Sequence, residues 1–380
     1  MNNQDMNNIE LNPMTQGEQM WSEQHPLEIW VKEDFILPEF RPVPLLMHTT
    51  PPDTDTELEF WNRLREKLRG VVHVHRFNDL KDAGSIVVTP ISIKDYILST
   101  RKWSSVYNFN RNALASGRTV ISFTGGLEYK PQQGEIVFSV STYRCKTEKS
   151  IATPNWLYDI GTKVSAIPKP LVPTVGFVGH TRYPGKVNSI FRHLPIPDSA
   201  VRWMAGSLFV NRNLDLRMRQ AIAARVRQKV VNEARRAQNL KPSISERTGA
   251  YFTLPKEEKE RQRGEYIQNL QDNAYRLVMR GDDNSNFQVW EVMSAGRIPI
   301  IIDTNQQFPN LGDLKWEDFS VLVPYSELHR IGEIVQKFHD SISDEEFRQA
   351  CMKSREAFEY LLPHNFILDA LKNKLSSRQG

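Results

Sequence analysis

Apolar residues along this chain alternate between short unbroken runs and runs with helical spacing. After an Asn/Gln-rich start, Val43-Pro44-Leu45-Leu46-Met47-His48 ends in Thr49-Thr50-Pro51-Pro52-Asp53 and predicts a strand feeding a loop. Leu58, Trp61, Leu64 and Leu68 then recur at three- and four-residue steps among Glu59, Arg63, Arg65, Glu66 and Lys67, an amphipathic helix that Gly70 ends. Val71-Val72-His73-Val74-His75 predicts a second strand, and 84–89 a third, closed by Pro90. A helix over 93–98 and a strand over 119–124, closed by Gly125-Gly126, continue the alternation. Strand, helix, strand, helix is the order of a parallel α/β sheet.

The pattern breaks at Pro168, Pro170 and Pro173, three prolines within six residues, which predict a stiff extended connector and a domain boundary. Beyond it Thr174-Val175-Gly176-Phe177-Val178-Gly179-His180 reads as a buried strand running into a Gly-containing loop. Later strands are expected over 274–279, 298–303 and 319–323, with a helix opened by Ser285-Asn286 and closed by Ala295-Gly296. The expected organisation is a tail over 1–26, an α/β domain over 27–170, and a second over 171–380 whose last helix crosses back. The tail has too few apolar residues to offset its ordering entropy.

Composition narrows the class. The 380 residues are 39% hydrophobic and 25% charged, enough for a sizeable core, and the net charge of +4 is too small for a strongly basic nucleic-acid protein. Segment 212–241 carries nine basic and two acidic residues, leaving 40 basic against 43 acidic elsewhere. Met218, Ile222, Val226 and Val230 give that segment a narrow apolar stripe flanked by Arg225 and Lys229, which reads as a solvated surface helix. Its alternative use is docking on anionic lipid or nucleic acid. Cys145 and Cys351 are far apart and outside any metal-ligand spacing, so reduced structural thiols are expected. No apolar run approaches the length that spans a bilayer, and no signal-peptide pattern opens the chain, so a soluble cytoplasmic protein is expected.

Most catalytic signatures are missing. The chain has no GxSxG elbow, Walker loop or GxGxxG. His73 and His75 share one strand face without a carboxylate at metal spacing in the sequence, and read as ordinary strand histidines. What remains is the stretch from Tyr275 through Arg280-Gly281-Asp282-Asp283-Asn284-Ser285-Asn286-Phe287-Gln288 to Glu291. A strand ending in Arg280-Gly281, a polar loop and a helix starting near Ser285 aim backbone N–H groups and a helix dipole at one place, a site for phosphate. Glu291, farther along the helix, is placed to reach sugar hydroxyls of a nucleotide. Read alone, Arg280 is a surface cation and Glu291 a helix-face carboxylate; their joint placement favours a site.

The stretch resembles the exostosin-like glycosyltransferases, above all bacterial members, through Arg280-Gly281, Glu291 and Ala295-Gly296-Arg297-Ile298-Pro299. The similarity continues at Asp303-Thr304, Pro309, Trp316 and Tyr360-Leu361-Leu362, and more loosely at 82–90 and 117–122. Two departures stand out. The family usually has Arg where this chain has Gln288, which removes one charge-assisted contact to a diphosphate, and Arg118-Thr119 replace its Asp-His. Arg182, after Gly179-His180, lies where the family commonly has a basic residue.

What the resemblance implies is a GT-B architecture, two facing Rossmann-like α/β domains with parallel sheets, and a cytoplasmic enzyme of polysaccharide or glycoconjugate synthesis. The implied reaction is inverting transfer from a nucleoside diphosphate sugar, often UDP-linked, to a glycan hydroxyl, with no metal and no cofactor beyond the donor. The donor-binding set is Arg280, Gly281, Ser285, Asn286, Gln288, Glu291, Arg182 and His180. Asp53 and Glu128, both after strand ends, are the candidates for the general base. Partners are then the nucleotide sugar and a glycan acceptor, without nucleic acid or a transmembrane segment, and with peripheral membrane contact through 212–241 as an option. The competing reading is a non-catalytic glycan- or nucleotide-binding relative, motivated by Gln288 and Arg118.

Overall fold

The computed structural model describes residues 21–100, 102–126, 129–144, 150–182, 212–248, 254–281 and 284–376. The chain forms two units: one holds the residues up to Trp156 with Gln307–Asn310 and the residues from Tyr360, and the other holds Leu157–Gln306 with Leu311–Glu359.

The first unit is built on β1 (Leu27–Lys32), β2 (Val72–Phe77), β3 (Ile86–Val88), β4 (Thr119–Phe123), β5 (Glu135–Ser139) and β6 (Ile151–Ala152). All pair in parallel, in the order β2-β1-β3-β4-β5-β6. Helices α1 (Glu59–Leu68), α2 (Ile93–Thr100), α3 (Trp103–Ala115) and, from the chain's end, α9 (Pro363–Ser376) accompany them. The first strand is not the expected one. Leu27, Ile29 and Val31 are buried in strict alternation and open the sheet, whereas Pro44–Thr49 forms a 3-10 turn that buries Leu45, Leu46 and Met47. Proline explains the difference: Pro44 brings no N–H to a ladder and fixes φ for a turn. The helix expected after it is α1, ending next to Gly70 as read.

The second unit contains β7 (Thr174–Arg182), β8 (Lys241–Thr248), β9 (Tyr275–Val278), β10 (Ile298–Asp303) and β11 (Val321–Pro324). These too are all parallel, in the order β11-β10-β9-β7-β8. Helices α4 (Arg212–Arg236), α5 (Lys256–Asp272), α6 (Phe287–Ser294), α7 (Ile331–Asp340) and α8 (Asp344–Tyr360) complete it. β9, β10 and β11 are largely apolar runs, and Tyr275, Leu277, Ile298, Ile300, Ile302, Val321 and Val323 lie in one core. The basic helix α4 is not a solvated surface element. Ala223, Val226, Val230, Val231 and Ala234 are buried, and several join that core. Small side chains let the helix lie close to the sheet, which the narrow stripe of larger apolar residues did not convey.

The proline-rich segment lies inside the second unit and is strapped to it. Arg297 Nη2 donates to the Ser165 carbonyl at 2.7 Å, Ser165 N donates to Gln271 Oε1 at 2.6 Å, and Lys169 Nζ donates to the Ile342 carbonyl at 2.7 Å. Among the described residues no helix is long and apolar enough to cross a membrane.

Candidate functional site

In the second unit the chain lays β8 on one side of β7, then crosses to lay β9, β10 and β11 on the other. The order reverses between β7 and β9, the place where open parallel sheets bind ligands beyond the carboxyl ends of their strands. Among the described residues, Val175 with Tyr275 and Gly176 with Arg276 pair across this boundary. Continuing that register sets His180 beside Arg280, yet no ladder joins them. β7 also carries an irregularity against β8 between His180 and Arg182.

Backbone carbonyls left by the missing ladder still need donors. Side chains supply them. Gln288 Nε2 donates to the Val178 carbonyl at 3.1 Å, and Asn286 Nδ2 donates to the Met279 carbonyl. Arg227 of α4 donates through Nη1 to the His180 carbonyl at 3.0 Å and through Nε to the Arg280 carbonyl at 3.3 Å. The strand that was expected to end at His180 instead continues through Arg182, whose side chain is outside the described part.

Helix α6 starts at this boundary for local reasons. Asn286 caps it, its Oδ1 accepting from Gln288 N at 2.8 Å, and Gly281 N donates to the Ser285 carbonyl at 2.7 Å, which closes the preceding loop. Asn284 is buried and its Oδ1 accepts from Thr304 Oγ1 at 2.6 Å, tying the loop to the end of β10. Gly296, with φ of 57°, sits just past the other end of α6, in the left-handed conformation that terminates a helix. The first-turn N–H groups thus lie next to the carboxyl end of β9, with Arg280 only 7% exposed beside them. The structure therefore brings together Arg280, Gly281, Ser285, Asn286, Gln288 and His180.

Two expected donor contacts take a different form. Gln288 has its amide N–H on β7, which fixes the amide's orientation, and its Oε1 is buried with no hydrogen-bond partner among the described residues. Glu291 is 2% exposed and accepts from Arg263 Nη1 at 2.6 Å, so its carboxylate joins α6 to α5. The Arg263 guanidinium lies over the Tyr158 ring at 4.7 Å, and burial, then the Glu291 charge, pushes the Tyr266 phenol well above its ordinary range.

Arg297 of the Ala-Gly-Arg-Ile-Pro stretch is also internal. Besides Ser165, it donates to the carbonyls of Leu270 at 2.9 Å and Ala295 at 3.1 Å. Arg276 is fully buried on β9, stacked on Tyr266 at 4.5 Å and bonded to Asn269 Oδ1. A Cβ at Gly176 would stand 2.5 Å from that same Asn269 oxygen, so a side chain there would displace the amide that serves Arg276.

The remaining candidates lie in the first unit. Asp53 is held by Arg41 Nη2 at 2.8 Å and by Arg65 Nη1 at 3.0 Å, while its backbone exchanges two bonds with Asn62 of α1. Its carboxylate is committed to fixing this loop. Glu128 lies outside the described residues, as does Cys145. Arg118 donates twice to the Ala83 carbonyl and serves the sheet. His73 and His75 do have a carboxylate companion: parallel pairing sets Glu28 of β1 beside them, and it accepts from both. Among the described residues no group of three or more His, Cys, Asp or Glu side chains is placed to hold a metal ion. Cys351 is a free thiol pushed up to about 12 by burial, hence unreactive.

Sequence reasoning missed Arg227. The signal was available, since Arg227 stands four residues after Ala223 and three and four before Val230 and Val231, on the face that is buried.

Two parallel units that share one strand order, with a helix start at a switch point, define a doubly wound α/β protein. The Exostosin GT47 domain model matches residues 149–338, half of the chain, and the chain belongs to that glycosyltransferase family. Among solved structures it is similar to a glycosyltransferase from Rickettsia africae, at 9% identity over 92% of this chain and 97% of that one, with a TM-score of 0.36. Anabaena HepE in complex with UDP and glucose matches at 9% identity over 92% and 100%, TM-score 0.35. The α,α-trehalose 6-phosphate synthase from Burkholderia multivorans matches at 11% identity over 88% and 74%, TM-score 0.34. No curated protein sequence matches the chain.

Proposed function

We propose that the second unit holds the diphosphate of a UDP-linked sugar beyond the carboxyl ends of β7 and β9, and that the sugar is transferred with inversion to a glycan hydroxyl. The observation that carries this reading is the joint position of Arg280 and the N-terminus of α6 at the strand switch point. An inverting displacement forms no covalent intermediate, so its demand on the donor side is positive charge for the departing diphosphate. Arg280 and the first-turn N–H groups of α6 answer that demand, with the Gly281–Ser285 hydrogen bond and the Asn286 cap beside them. The acceptor-side base is assigned to neither Asp53, which is bound by two guanidinium groups, nor Glu128.

UDP binding measured by calorimetry tests the site. Arg280→Ala is expected to weaken UDP by about tenfold or more, the loss of one charge-assisted contact. Unchanged affinity would overturn the assignment. The engagement of Gln288 with β7 and of Glu291 with Arg263 favours, as a second reading, a relative that binds nucleotide without turnover. UDP release from UDP-sugars in the presence of glycan acceptors separates the two.

A further inference from the structure

The boundary between β7 and β9 has a problem that the helix start alone does not solve. Carbonyl oxygens carry partial negative charge, and past the recorded pairing of β7 with β9 those of His180 and Arg280 both accept from one side chain. A diphosphate would meet two carbonyl dipoles there. Arg227 removes both: one guanidinium spans from the His180 carbonyl, through Nη1 at 3.0 Å, to the Arg280 carbonyl, through Nε at 3.3 Å. The rigid planar fork suits this task, because it reaches two acceptors at a fixed separation and keeps its charge.

Position explains why the contact holds. Arg227 projects from the buried face of α4, whose Val226, Val230 and Val231 pack in the unit's core, which holds the helix against the sheet. We infer that Arg227 is a positioning residue for the donor site: it staples the ends of β7 and β9 at the separation that presents Arg280 to the diphosphate, and it reverses the local field from carbonyl-negative to cationic. This rests on the donor-site reading given above. It also bears on Gln288, since a cation absent from α6 is matched by one supplied from α4.

The experiment compares the wild type with Arg227→Gln, Arg227→Lys and Arg280→Ala, using UDP as the probe in calorimetry and a UDP-sugar in turnover. Arg227→Gln is expected to weaken UDP by about tenfold, and the donor KM should rise in proportion while the acceptor KM stays put. Arg227→Lys keeps the charge but not the fork and should recover little of the affinity. Millimolar guanidinium added to Arg227→Gln should restore UDP binding and leave the wild type unchanged. If both Arg227 variants bind UDP like the wild type while Arg280→Ala does not, Arg227 merely supports the fold and the inference is overturned. Should Arg280→Ala also bind normally, the donor-site reading falls and takes this inference with it.

Discussion

Glu135 opens β5 with both carboxylate oxygens engaged. Oε1 accepts from Asn110 Nδ2 at 2.9 Å and Ser122 Oγ at 2.7 Å, while Oε2 accepts from Tyr129 OH at 2.9 Å and Gln132 N at 3.0 Å. Burial nonetheless dominates and raises its pKa above the ordinary carboxyl value. The sign follows: protonation is easier in the folded chain, so this group's contribution is fully present below its unfolded pKa and is lost as pH rises through the higher folded value. Glu135→Gln would turn an amide N–H toward the Gln132 N–H and orphan it, a loss of about 1–3 kcal/mol. Denaturant unfolding should show the deficit to be larger near pH 5 than near pH 8; a deficit that grows with pH would contradict the argument. Residue roles of this kind were the least legible from sequence. Glu135, Arg276 and Arg297 look like surface charges in a one-dimensional pattern, and only burial, at 6%, 0% and 1% exposure, reveals them as internal staples. Gln288 and Glu291 stand out in the sequence, but whether a helix face turns to a ligand or to a neighbouring helix is a tertiary fact, and here their side chains meet β7 and Arg263.

Elements were more legible where both faces of a strand are covered. The apolar run 298–303 coincides with β10, and 119–124 nearly so with β4, because a fully buried parallel strand has to be apolar at every position. The edge strand β8 escaped: Lys-Pro-Ser-Ile-Ser-Glu-Arg-Thr is mostly polar and takes its place from pairing with β7. Helix pairing adds a titration that no periodicity suggests. His364, in the first turn of α9, is pushed down to about 4, first by burial and then by Arg63 and Lys67 of α1. Below its unfolded pKa of 6.5 the unfolded chain takes up a proton that the folded chain refuses, so stability falls as pH drops from 6.5 toward 4. The full effect is roughly 3 kcal/mol. His364→Gln keeps a donor for the Phe60 carbonyl and cannot titrate, so it should match the wild type at pH 7.5 and exceed it at pH 4.5. Parallel pH dependence of the two unfolding midpoints would sink this account.

Across the whole molecule, both units repeat one strand order, with the first strand between the second and third. Each unit thereby gains a switch point from topology alone, and chemistry-bearing side chains distinguish them. The chain's return at Tyr360 is what the first unit requires to close its core. Trp156 Nε1 donates to the Leu361 carbonyl at 2.7 Å, and its ring packs edge-on against Trp61 and Phe366, both about 6.0 Å away. Buried Phe366, Ile367 and Leu371 of α9 lie in the same unit as α1. Removing 361–380 would uncover these surfaces, and losing three large buried side chains costs several kcal/mol, a large part of the ~5–15 kcal/mol that holds a domain folded. The second unit loses none of its own residues. Truncation after Tyr360 is therefore expected to give two separate unfolding transitions, an early one with red-shifted tryptophan emission from Trp61 and Trp156, and a later one that UDP still raises. A single transition, or loss of the UDP-induced shift, would mean that the donor site depends on the first unit for its fold.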